Sequence, residues 1–425
     1  MSGSTASKVL RRLGLALCGV LFAAGFAEIA LRLRSPHDAG ASAAAVDDLV
    51  GRMTKAFGAD AEQAQQGNNA LAFHPLYAFD YAGADRVVDQ RLTTFRQSSA
   101  NEICVFVYGG SVSAQVGQQA PDEIERLLAA DPRAAGKAVR VYPMGRGAYK
   151  APQTLAALQH DLSCGFAPDV VLLVDGFNEV AVGMGNVSNG FHPVLPGASF
   201  WLPLVAAPVS SSNAVRDAED AVRGEQALAL RLDGLGDSLG AARSALASRT
   251  LLWAVSASYQ RWVQAINVYS RRAAEAKNAW VSRGGSFDRT SQAALELCAQ
   301  IWYENARSMR ALCDVRGISF VHVLQPTLHD IGAKPATENE LRVGGASDAW
   351  LEGVRIGYPL LRERGASLRA AGHPFFDATK LFEHERGEIY VDSCHFNEPG
   401  RRELSRFAAR SILALERPFG ARWSR

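Results

Sequence analysis

Ile103-Cys-Val-Phe-Val-Tyr-Gly-Gly-Ser-Val-Ser113 is the stretch from which the fold can be read. Ile103 to Val107 is a short apolar run rich in β-branched residues, the composition of a buried strand. Gly109 and Gly110 let the backbone turn, and Ser111 follows where a strand gives way to a helix. Such a turn presents a hydroxyl and leaves backbone N–H groups able to bind an oxyanion. A plain Gly-Gly-Ser turn satisfies the same letters, so the rest of the chain has to be weighed.

Downstream, strand-like and helix-like segments alternate. A helix is expected from Pro121 to Ala130, with proline in its first turn and Asp131-Pro132 ending it. Val139 to Met144 reads as a second strand, Gly145-Arg-Gly147 as its terminal loop, and Leu155, Leu158 and Leu162 mark the next helix. Asp169 to Val174 is a third, almost wholly apolar strand, followed at once by Gly176-Phe-Asn-Glu179. A helix over Ser291–Val315, with Gly317 as its cap, leads to a fourth strand at Ile318–Leu324. Pro374 to Phe376 is a short fifth strand, and a helix near Arg401–Leu415 closes the chain. Continuous apolar strands alternating with helices predict a parallel sheet covered on both faces. Ligands bind such sheets at the carboxyl ends of the strands. Ser111, Gly147 and Asn178 each follow the end of a different strand.

Tyr390-Val-Asp-Ser-Cys-His395 is the second constellation. In one turn of helix-like backbone, the spacing lets Asp392 reach the His395 ring. A carboxylate on Nδ1 fixes the tautomer and leaves Nε2 to take a proton from a serine, whose hydroxyl is a weak nucleophile at neutral pH. A capping aspartate beside a surface histidine would give the same letters. His322 falls within a strand and reads as core, His160 lies on a helix, and His384 follows a polar turn. Asn178 either caps its loop or donates to an oxyanion.

Residues 187–290 break the alternation and read as a helical insertion within the domain. Gly190-Phe-His-Pro193 and the range from Pro196 to Pro208 look like a loop over the site, with His192 and Trp201 as candidate substrate contacts. Leu252, Val255, Tyr259, Trp262, Ile266 and Tyr269 follow helical spacing and are expected to pack a core, with a substrate or membrane face as the alternative.

Taken together, these places resemble the SGNH (GDSL-like) hydrolase family. The resemblance covers about 103–185 and 318–415. It implies a flavodoxin-like three-layer sandwich with a five-stranded parallel sheet. It also implies Ser111 as nucleophile, His395 as base, and Asp392 as the base's partner. Ser111 N–H, Gly147 N–H and the Asn178 side chain would form the oxyanion hole. The family's Gly-Asp-Ser-Leu is here Gly-Gly-Ser-Val, Glu179 ends the Gly-x-Asn-Asp block, and Gly145 competes with Gly147. Gly109 to Ser113 also approaches the Gly-x-Ser-x-Gly elbow of α/β-hydrolases. That fold needs several strands ahead of the serine and an acid well upstream of the histidine, whereas here about one strand precedes Ser111 and the acid candidate adjoins His395.

Lys8, Arg11 and Arg12 precede an apolar stretch from Leu13 to Leu33, interrupted by Glu28. Its length is about the ~20 residues of a membrane helix, and the basic tip predicts a cytoplasmic N-terminus. A cleaved signal peptide is the rival reading. The expected layout is 1–34 tip and anchor, 35–70 linker, helical in part around Val46–Phe57, and 71–425 the domain, outside the cytoplasm. Cys104 and Cys164 are candidates for pairing there. The net charge of +2 over 425 residues gives no electrostatic case for nucleic acid, and no Cys-x-x-Cys spacing suggests a metal. No cofactor is implied. The expected activity is an extracytoplasmic serine esterase acting on O-acetyl groups of an envelope glycan, by analogy with cell-surface members of the family. Its alternatives are an O-acyltransferase and a non-catalytic anchored glycan-binding or assembly protein.

Overall fold

The structure, a computed structural model, describes residues 28–29, 38–56, 71–81, 102–206, 213–238, 244–275 and 282–419. The chain divides into two compact units, 1–61 with 216–266, and 62–215 with 267–425.

In the larger unit, a small antiparallel hairpin of β1 (Leu71–His74) and β2 (Ala78–Tyr81) comes first. A five-stranded parallel sheet follows, of β3 (Glu102–Gly109), β4 (Ala138–Pro143), β5 (Val170–Asp175), β6 (Ser319–Leu324) and β7 (Phe375–Asp377). Its order is β4-β3-β5-β6-β7, so β3 and β5 lie side by side. The alternation of side chains along β3 divides the core. Ile103, Val105 and Val107 pack with α2 (Ser111–Gln119), α3 (Pro121–Ala129) and α12 (Glu398–Leu413). Cys104, Phe106 and Tyr108 face the other way, towards α4 (Gln153–Ser163) and the end of α9 (Ser291–Val315). Burial on both faces is why these strands read as unbroken apolar runs.

Each strand expected from the sequence is present to within about two residues. The Ser291–Val315 helix ends as anticipated, with Gly317 at φ +68° and Ile318 N–H donating to Cys313 O at 2.9 Å. The range 325–373, in which no element was expected, holds α10 (Glu338–Val343) and α11 (Asp348–Ala370). α11 packs on α9 and on α5 (Phe177–Ser188).

Within the expected insertion, α6 (Ala198–Ala206) replaces the loop anticipated at 196–208. Trp201 is buried against Phe191 in the core, so it is not poised as a substrate contact. The smaller unit holds α1 (Asp38–Ala56), α7 (Asn213–Ser238) and most of α8 (Ala245–Glu275). Within the expected linker, the helix anticipated around Val46–Phe57 belongs to α1, which begins earlier, at Asp38; its Met53 carbonyl accepts from Gln226 Nε2 at 2.6 Å. From the apolar stripe of α8, Leu252, Val255, Trp262 and Tyr269 are buried. The expected membrane segment lies outside the described residues except for Glu28 and Ile29. No helix of the described residues is long and apolar enough to cross a membrane. No disulfide joins Cys104 to Cys164, whose sulfur lies 3.7 Å from His160 Nε2.

Candidate active site

Ser111 is the first residue of α2, directly beyond β3. The first N–H groups of a helix have no acceptor within it, so the serine sits among donors. Gly109, at φ +135°, makes the turn possible, since its conformation is one L side chains rarely adopt.

Asp392 and His395 come from a bend between β7 and α12, not from a helical turn as the spacing suggested. Asp392 Oδ1 accepts the backbone N–H groups of Cys394 and His395 at 2.9 and 2.8 Å. Its Oδ2 is 2.7 Å from His395 Nδ1, and His395 Nε2 is 2.6 Å from Ser111 Oγ. Three side chains, two of them 284 positions apart, therefore form one hydrogen-bonded line. It is shielded without being sealed: the His395 and Asp392 side chains are 21% and 16% exposed. Burial works against a charged His395 ring, but the adjoining Asp392 carboxylate and its hydrogen bond outweigh it, so the ring titrates above its ordinary range.

Several groups hold this bend, and the sequence did not mark them. Gln115, one turn along α2 from Ser111, donates to Phe396 O at 3.3 Å and accepts from Phe396 N at 3.2 Å. It thus ties the residue after His395 to the helix of the serine. Glu340 Oε1 accepts from Ile389 N and Tyr390 N at 2.8 and 2.9 Å, while Oε2 is 2.6 Å from Lys334 Nζ. Thr327 Oγ1 donates to Ser393 O at 2.8 Å.

Asn178 stands in the first turn of α5, immediately after β5. Its Nδ2 donates to Tyr149 O at 2.9 Å. A primary amide carries two N–H bonds, so one stays available for a second acceptor. The amide lies directly over Gly110, where an added Cβ would overlap Nδ2. Glu179 bridges the same region, accepting from Gly176 N at 2.8 Å and Ala151 N at 3.0 Å. Burial, and then the neighbouring Asp175, raise the Glu179 carboxyl to about 8.

Gly145 and Gly147 have different surroundings. A Cβ on Gly145 would collide with Ser113 Oγ, so that glycine allows close packing against α2. Gly147 is partly exposed, in a turn closed by Tyr149 N–H to Arg146 O at 3.2 Å.

His192 does not join the cluster. Its N–H donates to Arg283 O at 2.8 Å, its ring is edge-on to Phe287, and burial together with Lys150 lowers its pKa. His322 is buried with Nε2 2.7 Å from Asp175 Oδ1, the same oxygen that accepts from Trp302 Nε1. Asp392, Cys394 and His395 also offer three ligand-type atoms within 4.8 Å of one another. Both ring nitrogens of His395, however, already have hydrogen-bond partners in Asp392 and Ser111. No protein-family model matches the chain, and no curated protein matches it.

Proposed function

We propose that the chain is a serine esterase of the SGNH type, working through an acyl-serine intermediate. The observation that carries this is the line Ser111–His395–Asp392, with contacts of 2.6 and 2.7 Å. Such an alignment is what turns a weak hydroxyl into a nucleophile. Ser111 Oγ attacks the ester carbonyl carbon while its proton passes to His395 Nε2. Asp392 stabilises the imidazolium that forms. The carbonyl oxygen becomes an anion that accepts hydrogen bonds from Ser111 N–H, Gly147 N–H and the second N–H of Asn178 Nδ2. The intermediate collapses, the alcohol leaves with the proton from His395, and water repeats the sequence to free the acid.

The strand order fits a flavodoxin-like three-layer sandwich, in which ligands are taken at the carboxyl ends of the strands. The basic tip and the apolar stretch Leu13–Leu33 support an anchored domain outside the cytoplasm. An O-acetylated envelope glycan is the substrate proposed for that location, on the analogy drawn above. Fluorophosphonate labelling of the intact chain tests the reading. Wild type should be modified on Ser111, and Ser111→Ala should not. A folded wild type that resists the reagent would refute a serine esterase.

A further inference from the structure

The hairpin Leu71–Tyr81 is not part of the five-stranded sheet, and three of its residues bond to the stretch of chain beyond β4. Both Asp80 carboxylate oxygens accept from Arg146 Nε, at 3.0 and 2.8 Å. Phe79 O accepts from Tyr149 OH at 2.9 Å, and Tyr77 O accepts from Gln153 Nε2 at 2.8 Å. The Arg146 guanidinium carbon lies 5.8 and 5.7 Å from the ring centres of Tyr77 and Tyr149. The Arg146 and Asp80 side chains are only 11% and 7% exposed, so the pair is largely shielded from solvent screening.

Arg146 and Tyr149 are the first and last residues of the turn that contains Gly147. Ala148, at its centre, has φ +62°. A residue with a Cβ holds that conformation only where its surroundings over-determine it, and such strain collects at functional sites. Four contacts supply the constraint here. Asp80 holds the Arg146 side chain and Phe79 O holds the Tyr149 side chain. Arg146 N–H donates to Gly109 O at 3.1 Å, and Asn178 Nδ2 grips Tyr149 O.

We infer that the hairpin is a working part of the active site, with Asp80 as a positioning residue that fixes the Gly147 N–H through Arg146. This rests on the esterase reading above. An oxyanion donor is effective because it is aimed before the charge develops. Displacing a reacting geometry by about 1 Å can cost about 10²-fold in rate.

The test is Asp80→Asn in the full chain, which keeps the side chain's shape and removes its charge. Turnover of an acetyl ester should fall roughly 10- to 100-fold, with KM changed by less than about threefold. Affinity for a trifluoromethyl ketone, whose adduct with Ser111 carries an oxyanion, should fall in parallel with turnover. The pH limb set by His395 should stay where it is, because the Asp392–His395 pair is untouched. Asp80→Glu should recover part of the loss, and Tyr149→Phe, which cuts the second tie, should shift turnover and ketone affinity the same way. If both Asp80→Asn and Tyr149→Phe stay within about twofold of wild type in turnover and ketone affinity, the positioning role is overturned, even if their melting temperatures fall. Should Asp80→Asn not fold, Tyr149→Phe decides alone. Fluorophosphonate labelling of wild type separates the two claims. No labelling overturns the esterase reading and the positioning role with it; labelling with unchanged variants overturns the positioning role only.

Discussion

Gly110 has an ordinary φ of −85°, so its value lies in the space it leaves. An added Cβ would overlap Asn178 Nδ2 and stand 3.2 Å from Tyr149 O. Gly110→Ala is therefore expected to push the amide aside and lower turnover by roughly 10²- to 10³-fold, the usual loss for one oxyanion donor. Asn178→Ala should match it, and thermal unfolding should show both variants folded. Steady-state kinetics on p-nitrophenyl acetate checks this, and a fully active Gly110→Ala would remove Asn178 from the mechanism. A second expectation concerns pH. Only neutral His395 accepts the serine proton, and its pKa is raised by Asp392. Activity should therefore climb with pH along a limb lying above ~6.5, the ordinary histidine value. Asp392→Asn removes the raising charge, so the limb should move to lower pH while turnover falls ~10⁴-fold, as in other triads. A pH profile of kcat/KM for both proteins decides it, and a wild-type limb below 6.5 would contradict the geometry.

Among the elements, α11 is the one least legible in sequence. Asp348–Ala370 contains Gly353, Gly357, Gly365 and an internal Pro359, all of which argue against a helix. The glycines are explained by contact. A Cβ on Gly353 would stand 2.5 Å from Val180 O of α5, and one on Gly365 would strike the Phe375 ring. Tertiary packing overrides propensity, and the local signals that remain are the Ser347 cap and the helical spacing of Val354, Tyr358, Leu361 and Leu368. Gly353→Ala should accordingly cost about 1–3 kcal/mol of stability, the range for overpacking against a backbone that cannot yield. It should also reduce activity, because α5 carries Asn178 in its first turn. Chemical denaturation and kinetics on one preparation would show both; wild-type stability would mean the helices separate freely. Glu340 belongs to this scale too, since it joins α10 to the chain before Asp392. Its contact with Lys334 is fully buried on both sides, so Glu340→Gln strands a charge and should cost about 3–5 kcal/mol. The measurement is again denaturant unfolding, and a loss under 1 kcal/mol would mean that Lys334 finds another partner.

Across the whole molecule, the five parallel strands were readable because each is a short apolar run bounded by turn residues, and burial on two faces demands that composition. Ser111, Asn178, Asp392 and His395 were legible only as a set: each alone is an ordinary turn or cap residue, and it was their order along the chain and their places at successive strand ends that pointed to chemistry. Arg146, Asp80, Gln115 and Glu340 were not. Each acts on a partner that only the fold brings near, as Gln115 does on Phe396, 281 positions away. The helix Asp38–Ala56 was legible only in its second half, around Val46–Phe57: its alanine-rich start reads equally as linker or helix until a surface such as α7 covers it. The hairpin's role depends on the same long-range closure, since Asp80 and Arg146 are 66 positions apart. The central claim is that these distant pieces make Ser111 a nucleophile. Its most direct test is to quench the protein during incubation with p-nitrophenyl acetate and read the peptide containing Ser111 by mass spectrometry. Wild type should carry one acetyl group on Ser111, and Ser111→Ala should carry none while remaining folded and inactive. Turnover by wild type with no acyl group on Ser111, or wild-type turnover by Ser111→Ala, would contradict it.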